Sequence, residues 1–180
     1  MLENMYDVLR RPQKAFARIA TEEKLMPAVG IQLCILILNV LVNKNGTGTS
    51  WGKLAILILA AIPVAGFIWW LTAVITNWLA HRFGGTGTWK KQLIATGYTM
   101  LPDIAFIPIE VVMLWTGMPE TLIVITACIS SIWSLILNAY AIKVVQSISM
   151  VKSILVIVLP TIAILLGGTI ICIALVFNGY

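Results

Sequence analysis

Charged side chains are scarce in this sequence of 180 residues. Only 11% of the residues are Asp, Glu, Lys or Arg, whereas 60% are hydrophobic, and the mean hydropathy is +0.99. A soluble globule of this size needs more polar side chains to cover its surface. The composition therefore excludes a soluble domain and predicts one that is integral to a membrane.

Histidine and cysteine are nearly absent as well. His81 is the only histidine, and the three cysteines are Cys34, Cys128 and Cys172. The cysteines fall inside apolar runs without metal-type spacing, so we expect small buried hydrophobic side chains rather than ligands or disulfides. No metal site is predicted, because His81 has no second histidine or cysteine near it in the sequence.

Catalytic groups are missing from the apolar runs. The sequence has no pairing of a nucleophile with a base, and an intramembrane aspartyl pair would need a second Asp beside Asp103. The glycine-rich residues 84–88 have neither the strand nor the Lys-Ser/Thr ending of a phosphate-binding loop. We therefore predict a protein that is not an enzyme and has no catalytic residues and no cofactor.

Five long apolar runs stand in place of these missing features. A run of about 20 residues can cross a hydrocarbon core about 30 Å thick. The sequence predicts an all-α, polytopic membrane protein with a cytoplasmic amphipathic segment at residues 1–25 and a five-helix transmembrane domain at residues 26–180. The predicted transmembrane helices cover residues 26–42, 54–79, 93–115, 121–142 and 153–177.

The basic residues predict the orientation. All but two of the 12 Lys and Arg residues fall in the amino-terminal segment, the second loop or the fourth loop. The two exceptions, Lys44 and Lys53, lie in the first loop. Because loops rich in Lys and Arg stay in the cytoplasm, the amino terminus is expected inside and the carboxyl terminus, after five spans, outside.

The amino-terminal segment is amphipathic. Phe16 and Ile19 continue an apolar stripe opposite several cations. The segment is expected either to lie along a membrane surface or to pack on the cytoplasmic loops. Cations at the ends of apolar runs meet anionic headgroups, whereas nucleic acid needs them gathered on one soluble face. The predicted membrane-surface residues are Arg10, Arg11, Lys14, Arg18, Lys90 and Lys91.

The third predicted span is unusual because it contains an acid and two prolines. Asp103 lies about 15 Å past the preceding lysines at about 1.5 Å per residue, where an ionised carboxylate costs a few kcal/mol. No Lys or Arg falls inside any predicted span, so the expected partners of Asp103 are polar groups such as Tyr98, Thr99, Asn77 and Asn138, or a free backbone carbonyl. Pro102 and Pro108 lack N–H groups, which predicts a kinked or broken helix.

Two interpretations of Asp103 are open. Glu110 lies about two turns further along the same helical face, so the two acids are expected either to line a polar path or to form a cleft for a partner. Alternatively, Asp103 occupies a dip reached by water and Glu110 lies near the outer interface. The residues of this predicted polar or partner site are Tyr98, Pro102, Asp103, Glu110, Asn77 and Asn138.

Taken together, these residues resemble the Yip (Ypt-interacting protein) domain family, in its compact prokaryotic type. The similarity rests on an amino-terminal proline and aromatic residue, five spans, a Trp-rich second span, and a Gly-Gly loop followed by Lys-Gln, Gly-Tyr and a proline. The residues that carry it are Pro12, Phe16, Gly84, Gly85, Lys91, Gln92, Gly97, Tyr98, Pro102, Trp133, Ser149 and Lys152.

The resemblance implies a non-enzymatic accessory or scaffold protein that acts through other membrane proteins, in trafficking, membrane organisation or a transport complex. Pairs of small residues such as Ala61 and Ala65, or Ala163 and Gly167, provide faces for helix packing. The expected partners are an ABC-type transport complex, further copies of the chain and a bilayer with anionic headgroups, but no nucleic acid. The expected location is a cell membrane, the bacterial inner membrane. The alternative is a small transporter or permease with a polar site in the third span.

Overall fold

Within the residues that the structure describes, the protein is a bundle of eight α-helices. The computed structural model describes the backbone of residues 2–47 and 50–177, and the side chains of residues 5–40, 50 and 52–169. No strand occurs in these backbone ranges. The helices are α1 (Leu2–Arg10), α2 (Pro12–Glu22), α3 (Leu25–Thr47), α4 (Trp51–Arg82), α5 (Trp89–Thr99), α6 (Leu101–Trp115), α7 (Glu120–Gln146) and α8 (Met150–Phe177).

The long helices correspond to the predicted spans and extend beyond them. Four segments are long and apolar enough to cross a membrane: α4, α5 together with α6, α7, and α8. The first predicted span corresponds to α3, which meets the same criterion jointly with α2 across a bend of 120°. The architecture is therefore the predicted all-helical, polytopic one, with four candidate spans, or five if the bent pair is one span.

The helix of the third predicted span is broken next to Pro102, as the prediction from this proline expected. α5 ends at Thr99 and α6 begins at Leu101, with Met100 between them, and Pro102 stands in the first turn of α6. A proline is tolerated in a first turn because the N–H it lacks would have no intrahelical acceptor there. Pro108 lies inside α6 without ending it.

α5 is the centre of the bundle. All eight residues from Gln92 to Thr99 are buried, and the helix packs against α3, α4, α7 and α2. Ile94 and Tyr98 share one core cluster with residues of α1, α2, α3 and α7. The buried polar residues of α5, Gln92, Thr96 and Thr99, therefore face other helices rather than lipid.

The amino-terminal helices belong to this core. Val8 and Phe16 have no exposed surface, and Ile19 is also buried. Burying one side chain of this size stabilises the fold by about 2 kcal/mol. The apolar stripe packs on helices of the bundle, α5 and α7, rather than on the cytoplasmic loops that the second expected arrangement named.

Two of the cysteines differ from the expectation. Cys34 and Cys128 are exposed on the outside of the bundle, so the prediction that they are buried within the protein is wrong for both. The hydropathy of a run does not show which side of its helix faces another helix. The side chain of Cys172 lies outside the described residues.

Candidate functional site

The glycine-rich loop between α4 and α5 packs against the end of α7. Its residues, 83–88, begin with a turn in which the Gly85 N–H donates to the Ala80 carbonyl over 2.9 Å. A side-chain carbon added to Gly87 would collide with the backbone carbonyl of Val145. Glycine is required at position 87 because the two backbones approach so closely. The loop therefore has a structural role, since it packs against the end of α7.

Gln146, at the end of α7, holds this loop from inside. Its Oε1 accepts from the Gly87 N–H over 3.0 Å, and its backbone carbonyl accepts from the Thr86 N–H over 3.1 Å. Its Nε2 donates to Asn77 Oδ1 over 2.8 Å and to Gln92 Oε1 over 3.4 Å. Both glutamines are fully buried. These three side chains, the amide cluster, join α4, α5 and α7 at the same end of the bundle.

A second polar contact joins α6 and α7, further from the end of α7 than the amide cluster. The Ser130 hydroxyl donates to the Asp103 carboxylate over 2.5 Å. The partner is a polar group rather than a cation, as expected, but it is Ser130, which was not among the examples named from the sequence. The sequence identifies Ser130 as a polar residue of the fourth span, but it does not show which face of that helix meets Asp103.

Polar atoms without partners lie between these two contacts. Within the described side chains, Ser134 Oγ, Asn138 Oδ1 and Gln92 Nε2 are buried and make no hydrogen bond. Ser130, Ser134 and Asn138 recur every four residues and therefore share one face of α7. A buried polar atom without a partner costs about 1–3 kcal/mol, so this polar seam along α7, formed by Ser130, Ser134 and Asn138, is costly unless another group satisfies its atoms.

The predicted site residues fall into separate groups. Asn77 belongs to the amide cluster, Asp103 lies with Ser130, and Asn138 lies along the seam. Tyr98 and Pro102 are fully buried in the core. Glu110 is partly exposed, and within the described side chains it forms no hydrogen bond or ion pair.

The predicted membrane-surface cations also separate. Three of them bind carboxylates of the same chain: Arg18 bonds to Asp7 over 2.7 Å, and Lys90 and Lys91 each lie 3.4 Å from Glu23. The hydrogen bond from Lys91 is the main cause that lowers the pKa of Glu23 below its ordinary value, and Lys90 adds to it.

The remaining three cations are exposed on α1 and at the start of α2. Arg10 donates to the Tyr6 hydroxyl over 2.7 Å. Arg11 and Lys14 line a groove that also contains Tyr140. The sequence prediction treated the six cations alike, and the structure separates the three that pair with carboxylates from Arg10, Arg11 and Lys14, which do not within the described side chains.

Gln146 is the site residue that the sequence prediction missed. The fourth apolar run was taken to end at residue 142, which assigned Gln146 to a loop. An amide within one turn of the end of such a run could have indicated it, because helices commonly extend past their apolar part. Among the described residues, no group of three or more His, Cys, Asp or Glu could hold a metal.

The family comparison covers nearly the whole chain. The Yip1 domain matches residues 6–171, a range that includes the glycine loop, the amide cluster and the Asp103–Ser130 contact. No curated protein and no solved structure matches the chain. Together with helices long and apolar enough to cross a membrane, the family match indicates a multi-pass membrane protein: the chain belongs to the Yip1 domain family, a non-enzymatic membrane family.

Proposed function

We propose that this protein is an accessory or scaffold protein that acts by binding transmembrane helices of other membrane proteins. The observation that carries the proposal is an apolar cleft of about 240 Å³ between α3 and α4. Ala65 and Gly66 form part of its lining, and the rings of Trp69 and Trp70 stand beside them.

Gly66 has no role in packing within the chain. A side-chain carbon added there would meet no atom within 4 Å. Glycine inside a helix is less favourable than alanine by about 1 kcal/mol, and no contact among the described residues offsets this cost at Gly66, so its place in the cleft is consistent with close approach of another helix. Small residues allow two helix backbones to approach closely in a membrane, and the aromatic rings provide large contact surfaces beside them.

The rest of α4 supports the same proposal. Only 6% of the residues in its most apolar stretch are buried within the chain, and the figure for α8 is 11%. Two helices of such length with so little internal contact leave large faces for lipid or for partners. Candidate partners are a transport complex and a second copy of the chain.

The test is recovery of partners in mild detergent. Gly66→Leu would fill the cleft, so we expect about tenfold less partner protein to be recovered with the tagged variant than with the unchanged protein. Mass spectrometry of the recovered proteins separates a heterologous partner from self-association. Gly52→Leu is the matched control, because Gly52 is also a glycine of α4 with open space around it and does not line the cleft. Equal losses in both variants would refute the role of the cleft.

The proposed location is the cell membrane, with the amino terminus in the cytoplasm and the carboxyl terminus outside, as the distribution of Lys and Arg favours. Single cysteine replacements at Lys14, in α2, and at Lys53, at the start of α4, in a variant without the natural cysteines, would show on which side of the membrane each end of the bundle lies. A membrane-impermeant thiol reagent added to intact cells should label the second position and leave the first unlabelled.

A transporter or permease is the second candidate, favoured by the seam of unpartnered polar atoms beside Asp103. In that case the purified protein should carry an ion or solute across liposome membranes, and Asp103→Asn should abolish the flux. Glu120→Gln, an exposed acid at the start of α7, is the control. Absence of flux in liposomes that retain correctly folded protein would eliminate this candidate.

A further inference from the structure

A basic groove lies between α2 and α7, at the end of the bundle that carries the amide cluster. Its volume is about 610 Å³, within the range of small-molecule sites in proteins. It is separate from the α3–α4 cleft and from the polar seam. Its lining residues are Arg11, Pro12, Gln13, Lys14, Ala17 and Tyr140.

Two cations of α2 line this groove, and a third cation, from α7, lies beside its tyrosine. Arg11 and Lys14 come from the start of α2, and Lys143 of α7 lies with its Nζ 5.9 Å from the centre of the Tyr140 ring. The start of α2 adds positive potential, because no side chain caps the helix at Arg11. The groove thus combines positive charge with an aromatic hydroxyl.

The carboxylates near this end of the bundle are bound elsewhere. Asp7 pairs with Arg18, Glu22 with Lys24 at 3.3 Å, and Glu23 with Lys90 and Lys91. Within the described side chains, no carboxylate pairs with the three cations of the groove. Their charge is therefore available to an anion from outside the chain.

α2, which forms one wall of the groove, is held rigidly by the rest of the protein. Phe16 and Ile19, on the opposite face of α2, are buried in the core, and α2 packs along α7. Pro12 restricts the backbone at the first turn of α2. Cations held on such a base lose less conformational freedom on binding a ligand than cations on a loop would.

The position of the groove indicates which anion it meets. Lys143 and Tyr140 lie within the last two turns of α7, a helix long and apolar enough to cross the membrane. Tyrosine and lysine at the end of a transmembrane helix lie at the level of the headgroups. A phosphate carried by a lipid is therefore presented at this depth.

We propose that this groove is a binding site for the phosphate headgroup of an anionic phospholipid, held by Arg11, Lys14 and Lys143. Tyr140 provides a hydroxyl donor. This inference does not rest on the proposed scaffold role. Such a lipid would join α2 to α7 across the groove and thereby link the amino-terminal helices to the surrounding leaflet.

The test is lipid retention by the purified protein, measured by native mass spectrometry in detergent titrated with phosphatidylglycerol or phosphatidylcholine. We expect one phosphatidylglycerol to be retained in preference to phosphatidylcholine. A variant with Arg11→Gln, Lys14→Gln and Lys143→Gln should bind it more weakly, by roughly fivefold per cation and about a hundredfold in total.

The matched control removes the same charge at the same end of the bundle. It carries Lys24→Gln, Lys90→Gln and Lys91→Gln, whose side chains pair with Glu22 and Glu23. This control should retain phosphatidylglycerol within about twofold of the unchanged protein, because its three lost cations do not line the groove and two carboxylates already offset most of their charge. Equal weakening in both triple variants would overturn the proposal.

Two further outcomes are decisive. Displacement of the lipid by millimolar inorganic phosphate would show a site for free phosphate and overturn the assignment to a lipid. If the triple variant loses its fold by circular dichroism, the charge-preserving variant with Lys14→Arg and Lys143→Arg should keep the preference for phosphatidylglycerol. Loss of the preference in that folded variant would also refute the site.

Discussion

Replacing Gly97 by alanine is expected to destabilise the protein by roughly 1–3 kcal/mol, the usual cost of overpacking a core. The new carbon would lie 2.6 Å from Ala28 Cβ and 2.9 Å from a carbon of the Trp69 ring. Neither neighbour can easily move aside, because Ala28 belongs to α3 and the Trp69 indole N–H is bonded to the Thr96 hydroxyl over 3.1 Å. The clash exceeds the gain of about 1 kcal/mol that alanine brings to a helix.

Thermal unfolding of the purified protein in detergent, followed by tryptophan fluorescence, measures this effect. Gly66→Ala is the control, since it makes the same change in a helix where a side-chain carbon meets no atom within 4 Å. It should leave the midpoint unchanged or raise it slightly. A Gly97→Ala protein as stable as this control would show that α3 and α5 separate at no cost, against the geometry described above.

Replacing Gln146 by leucine is expected to cost roughly 3 kcal/mol or more, at about 1–3 kcal/mol for each buried group left without a partner. The Gly87 N–H and the Oδ1 and Oε1 atoms of Asn77 and Gln92 would lose their bonds to Gln146 together. The Gly87 N–H would lose its acceptor, whereas the Thr86 N–H would keep the backbone carbonyl of residue 146, so the Gly87 amide hydrogen should exchange much faster. Hydrogen exchange of the Gly87 amide and the midpoint of thermal unfolding measure the two effects.

The variant Gln146→Glu separates the effect of the hydrogen bond accepted from Gly87 from that of the bonds donated to Asn77 and Gln92. The carboxylate can still accept from Gly87 but cannot donate to Asn77 or Gln92, so the loop should stay more protected than in Gln146→Leu. Gln13→Leu, on the exposed face of α2, is the control and should change neither measurement. Unaltered loop exchange in Gln146→Leu would contradict the role of the amide cluster.

The helices were predictable from the sequence because the thickness of a bilayer sets the length of an apolar run. The residues at which the helices end were harder to predict. Hydropathy falls at Lys143, yet the α7 backbone continues to Gln146, and the predicted loop at 143–152 shrinks to the three residues 147–149. Beyond the apolar part, capping and contacts with other helices decide where a helix stops.

Polar positions were predictable, but their pairings were not. Asn77 and Asp103 stand out in any apolar run. Whether Asp103 meets Asn138 or Ser130 depends on how α6 and α7 are rotated and shifted against each other, which the sequence of either helix alone does not fix. The same holds for the cations, since the sequence does not distinguish Lys91, bound to Glu23, from Lys14, which lines the groove.

The burial of Phe16 against helices far along the chain bears on biosynthesis. The ribosome releases α2 long before α5 and α7, the helices on which it packs. During that interval the apolar face of α2 has no site in its own chain, so it must be held by the lipid surface or by the insertion machinery. α2 is therefore synthesised before the helices on which it packs and reaches its native place only after them.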